Sequence, residues 1–343
     1  MGDIYQLKQV CHFYGSKKIL DIEQMTISRG SILGISGANG SGKSTLLKLL
    51  AFAMAPAQGQ IRFNGRPEAP MSPRVRSRVT LLTQTPYLLK RSVLDNVTYG
   101  LKVRNQTDHL QERAADALIA VGLDPQGFSG RMWHELSGGE AQRVAMAARL
   151  VLKPEALLLD EPVASVDTQS AALIRQASLA ARDSWGCTLI IVSHDLSWLH
   201  EVSDTRISMA DGKIFSTGKE SIIPGPYARD NHGHMVRFLD DGSEIRLSDP
   251  FLPEHTANPT AVIQKEKLYL YPAMDTNGDR VNRLPARITQ MLLEQKTGRI
   301  LTTMDLKGFT LCLSVTANQA AQLDLVPGKQ IILVFSPEDV DWR

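Results

Sequence analysis

Short apolar runs alternate with stretches of helical periodicity in the first part of the chain. Almost uninterrupted apolar runs lie at residues 31–36, 156–160 and 188–193, and helical patterns such as residues 139–152 lie between them. Continuous apolar strands that alternate with helices are typical of a parallel sheet covered on both faces. The pattern therefore predicts an α/β fold for residues 1–224.

Turn signals replace the helical patterns after residue 224. Asp-Gly, Asn-Gly and Thr-Gly pairs separate runs that are rich in β-branched and other apolar residues, as in hairpins. These signals lie at residues 240–243, 276–279 and 296–299. The runs at residues 267–271 and 330–335 would be strands. The pattern predicts a small all-β barrel or sandwich for residues 225–343.

Length and composition agree with two folded domains. Of the 343 residues, 43% are hydrophobic, so the chain can bury a sizeable core. The net charge of +2 gives no reason to predict a nucleic-acid partner. One local basic run, Arg74, Arg76 and Arg78, alternates every second residue, which predicts the outward face of an extended segment.

The cysteines and the hydropathy pattern bear on the compartment. Cys11, Cys187 and Cys312 are far apart and form no CxxC motif, which favours a reducing environment over disulfides or a zinc site. Residues 1–10 lack the apolar core of a signal peptide, and no apolar run approaches the ~18 residues of a membrane span. We therefore expect any link to a membrane to run through a partner.

A glycine-rich turn, GANGSGKST at residues 37–45, lies between the first apolar run and a helical pattern at residues 44–55. It matches G-x-x-x-x-G-K-[ST], in which glycines let successive backbone N–H groups surround a phosphate. Lys43 would reach the terminal phosphates of a nucleotide, and the Ser44 hydroxyl would bind Mg²⁺. The predicted nucleotide contacts are Gly37, Ala38, Asn39, Gly40, Ser41, Gly42, Lys43, Ser44 and Thr45.

Three further apolar runs each end in a side chain able to do chemistry. Asp160 and Glu161 end one run, His194 follows another, and Gln84 ends a third. Ligands bind at the carboxyl ends of strands in sheets of this kind, so all four are functional candidates. We expect Asp160 to hold Mg²⁺, Glu161 to accept a proton from the attacking water, and Gln84 to orient that water or bind the metal.

A second anion-binding motif lies almost a hundred residues after the first. Ser137, Gly138 and Gly139 open a helical pattern, and the N-terminus of a helix readily binds an anion. Residues 37–45 already provide a phosphate site, so this second motif needs a separate explanation.

In this order the motifs resemble those of the nucleotide-binding subunits of ATP-binding cassette (ABC) transporters. The matching features are Tyr14, the Walker A turn at 37–45, the Q-loop glutamine Gln84, the signature LSGGEAQR at 136–143, the Walker B run LLLDEP at 157–162, the D-loop ASVD at 164–167 and the switch histidine His194. The resemblance covers residues 1–224. It implies a P-loop ATPase fold that hydrolyses ATP, with Mg²⁺, to drive a solute through a membrane permease.

The resemblance also implies roles for individual residues. Tyr14 would stack on adenine, with Phe13 as the competing candidate. Ser44, Gln84 and Asp160 would serve Mg²⁺, and Glu161 would be the general base. His194 would contact the γ-phosphate, and Asp167 of the D-loop joins the predicted nucleotide-binding residues.

A head-to-tail dimer would explain the second anion-binding motif. Ser137, Gly138 and Gly139 of one copy would then cap the γ-phosphate held by the Walker A turn of the other. Neither copy would have a complete site, so ATP would join the two copies and its hydrolysis would release them.

A helical subdomain at residues 85–150 would touch the permease in proteins of this family. The segment at residues 86–104 would dock there through Tyr87, Leu88 and Leu89, unless these three pack in the core instead. The protein would lie on the cytoplasmic face of the cell membrane, bound to the permease subunits.

The C-terminal region is similar to TOBE/MOP-type β-domains, at residues 282–288 and 315–340. The N-terminal part is similar to tungstate-type importer ATPases, which favours tungstate or molybdate as the solute over sulfate, sugars or polyamines. An extracytoplasmic oxyanion-binding protein would then be an indirect partner. Asn282 and Arg283 are candidates for a regulatory oxyanion site in the β-domain, and a structural dimerisation module is the default.

Two rival classes are disfavoured. Translation-type ABC proteins carry two cassettes and repair-type members insert a long coiled coil, whereas this chain has one cassette with its halves close together. A non-catalytic binding module would not need the full set of reactive side chains. That set is Lys43, Asp160, Glu161 and His194.

Overall fold

The chain folds into two compact units. The computed structural model describes residues 2–216, 220–223, 225–231, 233–249, 260–272, 282–293, 298–307 and 309–342. Backbone contacts divide the chain into Met1–Ile214 and Phe215–Arg343. The boundary predicted near residue 224 stays a prediction. None of the helices in the described part of the chain is both long and apolar enough to cross a lipid bilayer.

The first unit contains two β-sheets. Its strands are β1 (Asp3–Tyr14), β2 (Lys17–Ser28), β3 (Ile32–Gly37), β4 (Gln58–Phe63), β5 (Arg66–Pro67), β6 (Val79–Leu82), β7 (Ala156–Asp160), β8 (Thr188–Val192) and β9 (Thr205–Ala210), together with β10 (Lys213–Ser216), which begins in this unit and ends two residues past its boundary. An antiparallel sheet has the order β2-β1-β4-β5, and a larger sheet has the order β10-β9-β3-β8-β7-β6. The strand pairs from β9 to β6 are parallel, as the sequence predicts.

The register of the parallel sheet brings its strand ends to one edge. Asp160, the last residue of β7, lies opposite Val192, the last residue of β8, and Val192 lies opposite Ile35 of β3. Leu82, at the end of β6, lies opposite Leu159. The residues that directly follow these strands therefore meet at the same edge.

Helices cover this sheet, and four of them, α3 to α6, lie within residues 85–150, where the helical subdomain is predicted. They are α1 (Lys43–Leu50), α2 (Pro73–Arg76), α3 (Val93–Val103), α4 (Leu110–Ala120), α5 (Pro125–Phe128), α6 (Gly138–Leu150), α7 (Thr168–Trp185) and α8 (Leu196–Val202). A short 3₁₀ turn at Trp133–Glu135 precedes α6. Helices α3, α4 and α6 share one buried apolar cluster.

The sheet is buried on both faces because its strands are apolar throughout. Leu158 and Ile190 belong to a cluster with α1 and the antiparallel sheet. Their neighbours along the strands, Leu157 and Leu189, belong to the cluster with α3, α4 and α6. Successive strand residues point to opposite faces, so an uninterrupted apolar run fits two covers.

Two helical predictions need correction at their ends. Helix α1 ends at Leu50 and not near residue 55, because the buried Phe52 takes a left-handed conformation with φ 53°. Helix α6 runs over Gly138–Leu150, so it begins one residue earlier and ends two residues earlier than predicted.

The prediction of an extended segment at the basic run is wrong. Ser72 is the N-cap of the short helix α2, and Pro73 is its first residue. Arg74 and Arg76 therefore lie within a helical turn. Val75 turns inward and is fully buried, while Arg74 and Arg76 are exposed on either side of it. Arg78 lies beyond the helix, where it forms an ion pair with Glu155.

The second unit is built mainly of β-strands. They are β11 (Glu220–Ile223), β12 (Ala228–Arg229), β13 (Met235–Phe238), β14 (Glu244–Arg246), β15 (Ala261–Gln264), β16 (Tyr269–Tyr271), β17 (Asn282–Leu293), β18 (Ile300–Asp305), β19 (Thr310–Val315), β20 (Gln330–Phe335) and β21 (Val340–Trp342). The sheets have the orders β11-β15-β21, β12-β13-β14 and β16-β20-β17-β18-β19. A short helix, α9 (Ala317–Gln322), lies between β19 and β20.

The three predicted hairpin turns of this unit lie within the described residues to different extents. The turn at residues 240–243 is confirmed, since β13 and β14 pair antiparallel on either side of it. Strands β17 and β18 pair antiparallel around the signal at 296–299, of which residues 296 and 297 lie outside the described residues. The signal at residues 276–279 lies wholly outside them.

Candidate functional site

The turn after β3 has a conformation that requires glycine. Gly37, Gly40 and Gly42 have φ values of 146°, 80° and 101°, in the region that residues with a Cβ atom rarely adopt. A Cβ atom on Gly37 would lie 2.3 Å from the carbonyl oxygen of Met209, and one on Gly42 would lie 2.8 Å from that of Ile19. The surrounding backbone therefore fixes the shape of this turn.

Lys43 lies inside the turn and closes it. The side chain is buried, and its Nζ donates to the carbonyl oxygens of Gly37 and Ala38 at 2.8 and 2.9 Å. Burial lowers the pKa of Lys43, and the nearby carboxylates of Glu161 and Asp160 oppose part of that effect. The ammonium group is thus influenced by the charges of Asp160, the last residue of β7, and of Glu161, which follows it.

Glu161 and His194 come together at the edge of the sheet, next to the turn. His194 donates its backbone N–H to Glu161 Oε2 at 3.2 Å, and its Nε2 lies 3.3 Å from Glu161 Oε1. The same Nε2 lies 3.2 Å from Asn39 Oδ1. Glu161 is buried and has a positive φ of 47°, which is unusual for a residue other than glycine. One imidazole therefore joins the predicted general base to the phosphate-binding turn.

The three predicted metal ligands, Ser44, Asp160 and Gln84, differ in exposure. Ser44 is exposed in the first turn of α1, and Asp160 is half-buried at the end of β7. Gln84 is exposed two residues after β6, and within the described residues no hydrogen bond joins it to Ser44 or Asp160. Thr45, the last residue of the predicted turn, is buried.

The aromatic residues at the end of β1 differ in exposure. Tyr14 has 49% of its surface exposed, whereas Phe13 is half-buried. The ring of Tyr14 meets the buried ring of His12 edge-on, with centroids 5.2 Å apart. Exposure therefore favours Tyr14 over Phe13 as the ring available to a nucleotide base.

The signature motif forms the start of α6. Ser137 is the N-cap: its Oγ accepts from the Glu140 N–H at 3.3 Å, and Glu140 Oε2 accepts from the Ser137 N–H at 2.8 Å. The Ser137 N–H lowers the pKa of Glu140 through this bond. Within the described residues, the N–H groups of Gly138 and Gly139 donate to no acceptor, and no hydrogen bond links this motif to residues 37–45. The two anion-binding motifs are separate within one copy.

Asp167 stabilises a neighbouring helix. Its side chain is the N-cap of α7 and accepts from the Ser170 N–H at 2.8 Å, which lowers the pKa of Asp167. A Cβ atom on Gly139 would meet Asp167 Oδ2 and Ser170 Oγ, both at 2.7 Å. Asp167 thus lies against the signature motif of its own chain.

Comparison with known proteins identifies the family. Residues 20–164 match the protein-family model described as ABC transporter. The tungstate uptake system ATP-binding protein TupC of Peptoclostridium acidaminophilum is 33% identical over 202 residues, an alignment that covers 59% of this chain and 92% of TupC. The chain belongs to the ABC transporter ATP-binding family. It is an ABC-type ATPase, as the motifs predict.

Other similar proteins extend this comparison. The spermidine/putrescine import ATP-binding protein PotA of Bacteroides thetaiotaomicron is 30% identical over 289 residues, which cover 79% of this chain and 61% of PotA. The ATPase therefore spans less than two thirds of that relative. The dimeric structure of MJ0796, a bacterial ABC transporter cassette, aligns with a TM-score of 0.57 and 25% identity, over 61% of this chain and 96% of that one. The predicted P-loop fold is confirmed.

The three residues predicted to dock on the permease lie differently in this ATPase. Tyr87 is 78% exposed. Leu88 and Leu89 are half-buried, and Leu88 packs against the apolar cluster of the helical subdomain. The exposure of Tyr87 agrees with a docking role, whereas the packing of Leu88 agrees with the alternative of a core position.

Two polar side chains that were not predicted from the sequence anchor α6 to the backbone around it. Gln142 is 2% exposed and donates from Nε2 to the carbonyl oxygen of Pro162 at 3.1 Å. Arg149 donates from Nε to the carbonyl oxygen of Leu81 at 3.1 Å. Gln142 belongs to the signature motif at 136–143, but the motif does not indicate its partner, because only the fold brings these backbone carbonyls next to the helix.

Proposed function

We propose that this ATPase is the motor subunit of an ABC importer. Two copies would bind ATP between them, and hydrolysis would separate them and move a permease. The observation that carries the proposal is the arrangement of Glu161, His194 and Lys43 around the phosphate-binding turn. Glu161 and His194 follow β7 and β8, and Lys43 begins α1, so their convergence reflects the fold as a whole.

The turn at residues 37–45 would hold the phosphates of ATP. Its glycines leave room for backbone N–H groups to face an anion, and the N-terminus of α1 adds a partial positive charge. The Ser41 hydroxyl is buried there without a partner among the described residues, so it is open to a phosphate oxygen. Tyr14 would stack on the adenine ring.

A Mg²⁺ ion fits the residues beside this turn. Ser44 offers an exposed hydroxyl, and Asp160 and Gln84 offer oxygen atoms of the kind that Mg²⁺ prefers. The described residues contain no group of three or more His, Cys, Asp or Glu side chains suited to a metal. These side chains would therefore hold the ion together with the phosphates of ATP. When bound, Mg²⁺ neutralises phosphate charge during phosphoryl transfer.

Glu161 would act as the general base. Its carboxylate would accept a proton from the water that attacks the γ-phosphate, while His194 would contact that phosphate. The contacts from His194 to Glu161 and to Asn39 support this division, because they put the imidazole between the base and the turn. Lys43 would release its two carbonyl partners and bind phosphate oxygens instead.

The substitution Glu161→Gln tests the enzymatic part of the proposal. We expect the variant to bind ATP as the wild type does, because Gln keeps the volume of Glu. Its hydrolysis should fall by about 10²- to 10⁴-fold, since an amide does not accept the proton. Fluorescent-nucleotide binding and phosphate release measure the two effects.

A carboxylate far from the site serves as the matched control. Glu112 lies on the exposed side of α4, where it pairs with His109, so Glu112→Gln should leave both binding and hydrolysis unchanged. Wild-type turnover in the Glu161→Gln variant would remove Glu161 as the base.

The unpaired signature motif supports pairing with a second copy. Gly138 is exposed at the positive end of α6, and its N–H, like that of the buried Gly139, donates to no acceptor among the described residues. The γ-phosphate of a nucleotide bound to another copy would fit there. Asp167 would approach the same interface. The dimeric cassette MJ0796 has the same fold over most of its length, which also supports this arrangement.

Tungstate or molybdate is the solute that we favour. TupC, whose name assigns it to tungstate uptake, supports this choice, whereas PotA favours a polyamine as the second candidate. The permease subunits would hold the ATPase on the cytoplasmic face of the cell membrane, with an extracytoplasmic oxyanion-binding protein delivering the solute. Loss of tungstate or molybdate uptake on deletion of the gene would support the choice; unchanged uptake of both with reduced spermidine uptake would favour the polyamine.

Residues 225–343 would form a TOBE/MOP-like domain with a structural role. Asn282, one of the two candidates for an oxyanion site, is buried, and its side-chain amide donates to the Arg246 carbonyl at 2.7 Å and accepts from the Arg246 N–H at 2.8 Å. These bonds join β17 to β14 and leave the amide committed to the backbone. The default of a structural dimerisation module is therefore the better supported alternative.

A further inference from the structure

One side chain of α6, the signature helix that begins at the motif Ser137–Gly139, contacts the backbone beside two predicted catalytic residues, Glu161 and Gln84. Gln142 lies on the buried face of α6, five residues after the N-cap Ser137. Its Nε2 donates to the Pro162 carbonyl at 3.1 Å and makes a longer contact of 3.5 Å with the Thr83 carbonyl. Pro162 directly follows Glu161, and Thr83 directly precedes Gln84.

The backbone at Glu161 needs external support. A φ of 47° is costly for a residue with a Cβ atom, and such a conformation persists only where its surroundings hold it. The Glu161 N–H donates to the Val192 carbonyl at 3.0 Å, and the Glu161 carbonyl accepts from the Ala164 N–H at 3.2 Å. The bond from Gln142 to the next carbonyl, that of Pro162, is the restraint that comes from the signature helix.

We propose that Gln142 is a positioning residue that couples the signature helix to the general base and to the Q-loop of the same copy. This inference rests on the proposed function. When a second copy's nucleotide binds at Ser137–Gly139, α6 moves, and Gln142 carries that movement to Pro162 and Thr83. Glu161 then reaches its hydrolytic position only in the paired state.

Two observations separate this role from simple anchoring. The Arg149 guanidinium already ties α6 to β6 at the Leu81 carbonyl, within the strand, so α6 stays attached to the sheet without Gln142. Gln142 instead holds two loops that carry predicted catalytic groups. Its Oε1 is buried and accepts no hydrogen bond within the described residues, so the link depends wholly on the Nε2 donor.

The substitution Gln142→Met tests the coupling. Met has the length and flexibility of Gln but donates no hydrogen bond, so it fills the space and removes the link. We expect kcat for ATP hydrolysis to fall at least about tenfold, because the base is misplaced, while KM and the affinity of one copy for ATP stay within about twofold. Gln142→Leu, which also lacks a donor, should show the same loss.

Met146→Leu is the matched control. Met146 is a fully buried apolar residue one helical turn further along α6, so this change alters packing without touching either loop. Its kcat and thermal unfolding midpoint should stay near those of the wild type. Thermal unfolding of every variant shows whether it is folded, and Gln142→Leu replaces Gln142→Met if the latter fails to fold.

The possible outcomes are distinct. A kcat of Gln142→Met or Gln142→Leu within twofold of the wild type overturns the coupling. So does a fall in kcat, ATP affinity and unfolding midpoint together, because that pattern marks a structural residue. Glu161→Gln is measured in parallel: if it hydrolyses ATP as fast as the wild type, the proposed function itself fails, and the coupling fails with it.

Discussion

The two glycine-rich turns of the first unit, residues 37–42 and 137–139, are built in opposite ways. The first is enclosed by its own chain: Gly37 and Gly42 face backbone carbonyls at distances that exclude a Cβ atom, and Lys43 bonds to two carbonyls inside the turn. The second is exposed at Ser137 and Gly138. Nothing within 4 Å would meet a Cβ atom on Gly138.

The two turns therefore differ in whether one copy is enough to form a binding site. The chain itself determines the shape of the first turn, so one copy can form it and bind a nucleotide. The second turn is capped by Ser137 and Glu140 but keeps an exposed N–H donor at Gly138, so we expect its ligand to come from a second copy. Substitutions in the first turn should therefore affect ATP binding by a single copy. Substitutions in the second turn should have an effect only when two copies meet.

Gly37→Ala should have the largest effect, because it breaks the enclosed turn. The new Cβ atom would lie 2.3 Å from the Met209 carbonyl on β9, and φ would stay at 146° only under strain. We expect the free energy of unfolding to fall by about 3 kcal/mol and ATP binding by one copy to be lost. Denaturant unfolding and nucleotide binding measure the two effects.

Gly40→Ala is the matched comparison for Gly37→Ala. Gly40 also has a positive φ, of 80°, but nothing within 4 Å would meet its Cβ atom. This substitution should cost only the conformational penalty of about 1–2 kcal/mol. If Gly37→Ala destabilised the protein no more than Gly40→Ala, the enclosure by β9 would not be what shapes the turn.

The apolar pattern predicts the sheet and the site edge because both depend on local sequence. Strand β7 has the predicted bounds, and β8 differs by one residue. Parallel strands with these ends bring Asp160, Glu161 and His194 to one edge, whatever the details of the helices. The convergence of the site therefore follows from motif order and a fold rule together.

The features that the sequence does not predict depend on distant contacts. Alternating arginines indicate a strand until Pro73 and the buried Val75 impose a helical turn. Glu161 has a left-handed backbone, and Gln142 donates a hydrogen bond to the Pro162 carbonyl. Both features exist only once α6 lies against the sheet. Residue type alone gives no signal for contacts of this kind.

Ser137→Arg should have a smaller effect on one copy than Gly37→Ala, but it should prevent pairing. A long cation at this exposed N-cap would fill the space that the second copy's nucleotide needs, so ATP-dependent dimers should not form. Hydrolysis should fall by about 10²- to 10³-fold, the effect of removing one group that stabilises transition-state charge. Binding of ATP to one copy should stay as in the wild type, because residues 37–45 are untouched.

Ser137→Ala separates the lost cap from the blocked interface. Both substitutions remove the Oγ that accepts the Glu140 N–H, which costs about 1 kcal/mol of stability, and only Arg adds bulk and charge. Light scattering with ATP, in the Glu161→Gln background that slows hydrolysis, should find dimers for Ser137→Ala and only monomers for Ser137→Arg. Dimers of Ser137→Arg at wild-type ATP concentrations would mean that the exposed turn faces something other than the second copy's nucleotide. The contrast between an enclosed turn that works alone and an exposed turn that works in pairs would then fail.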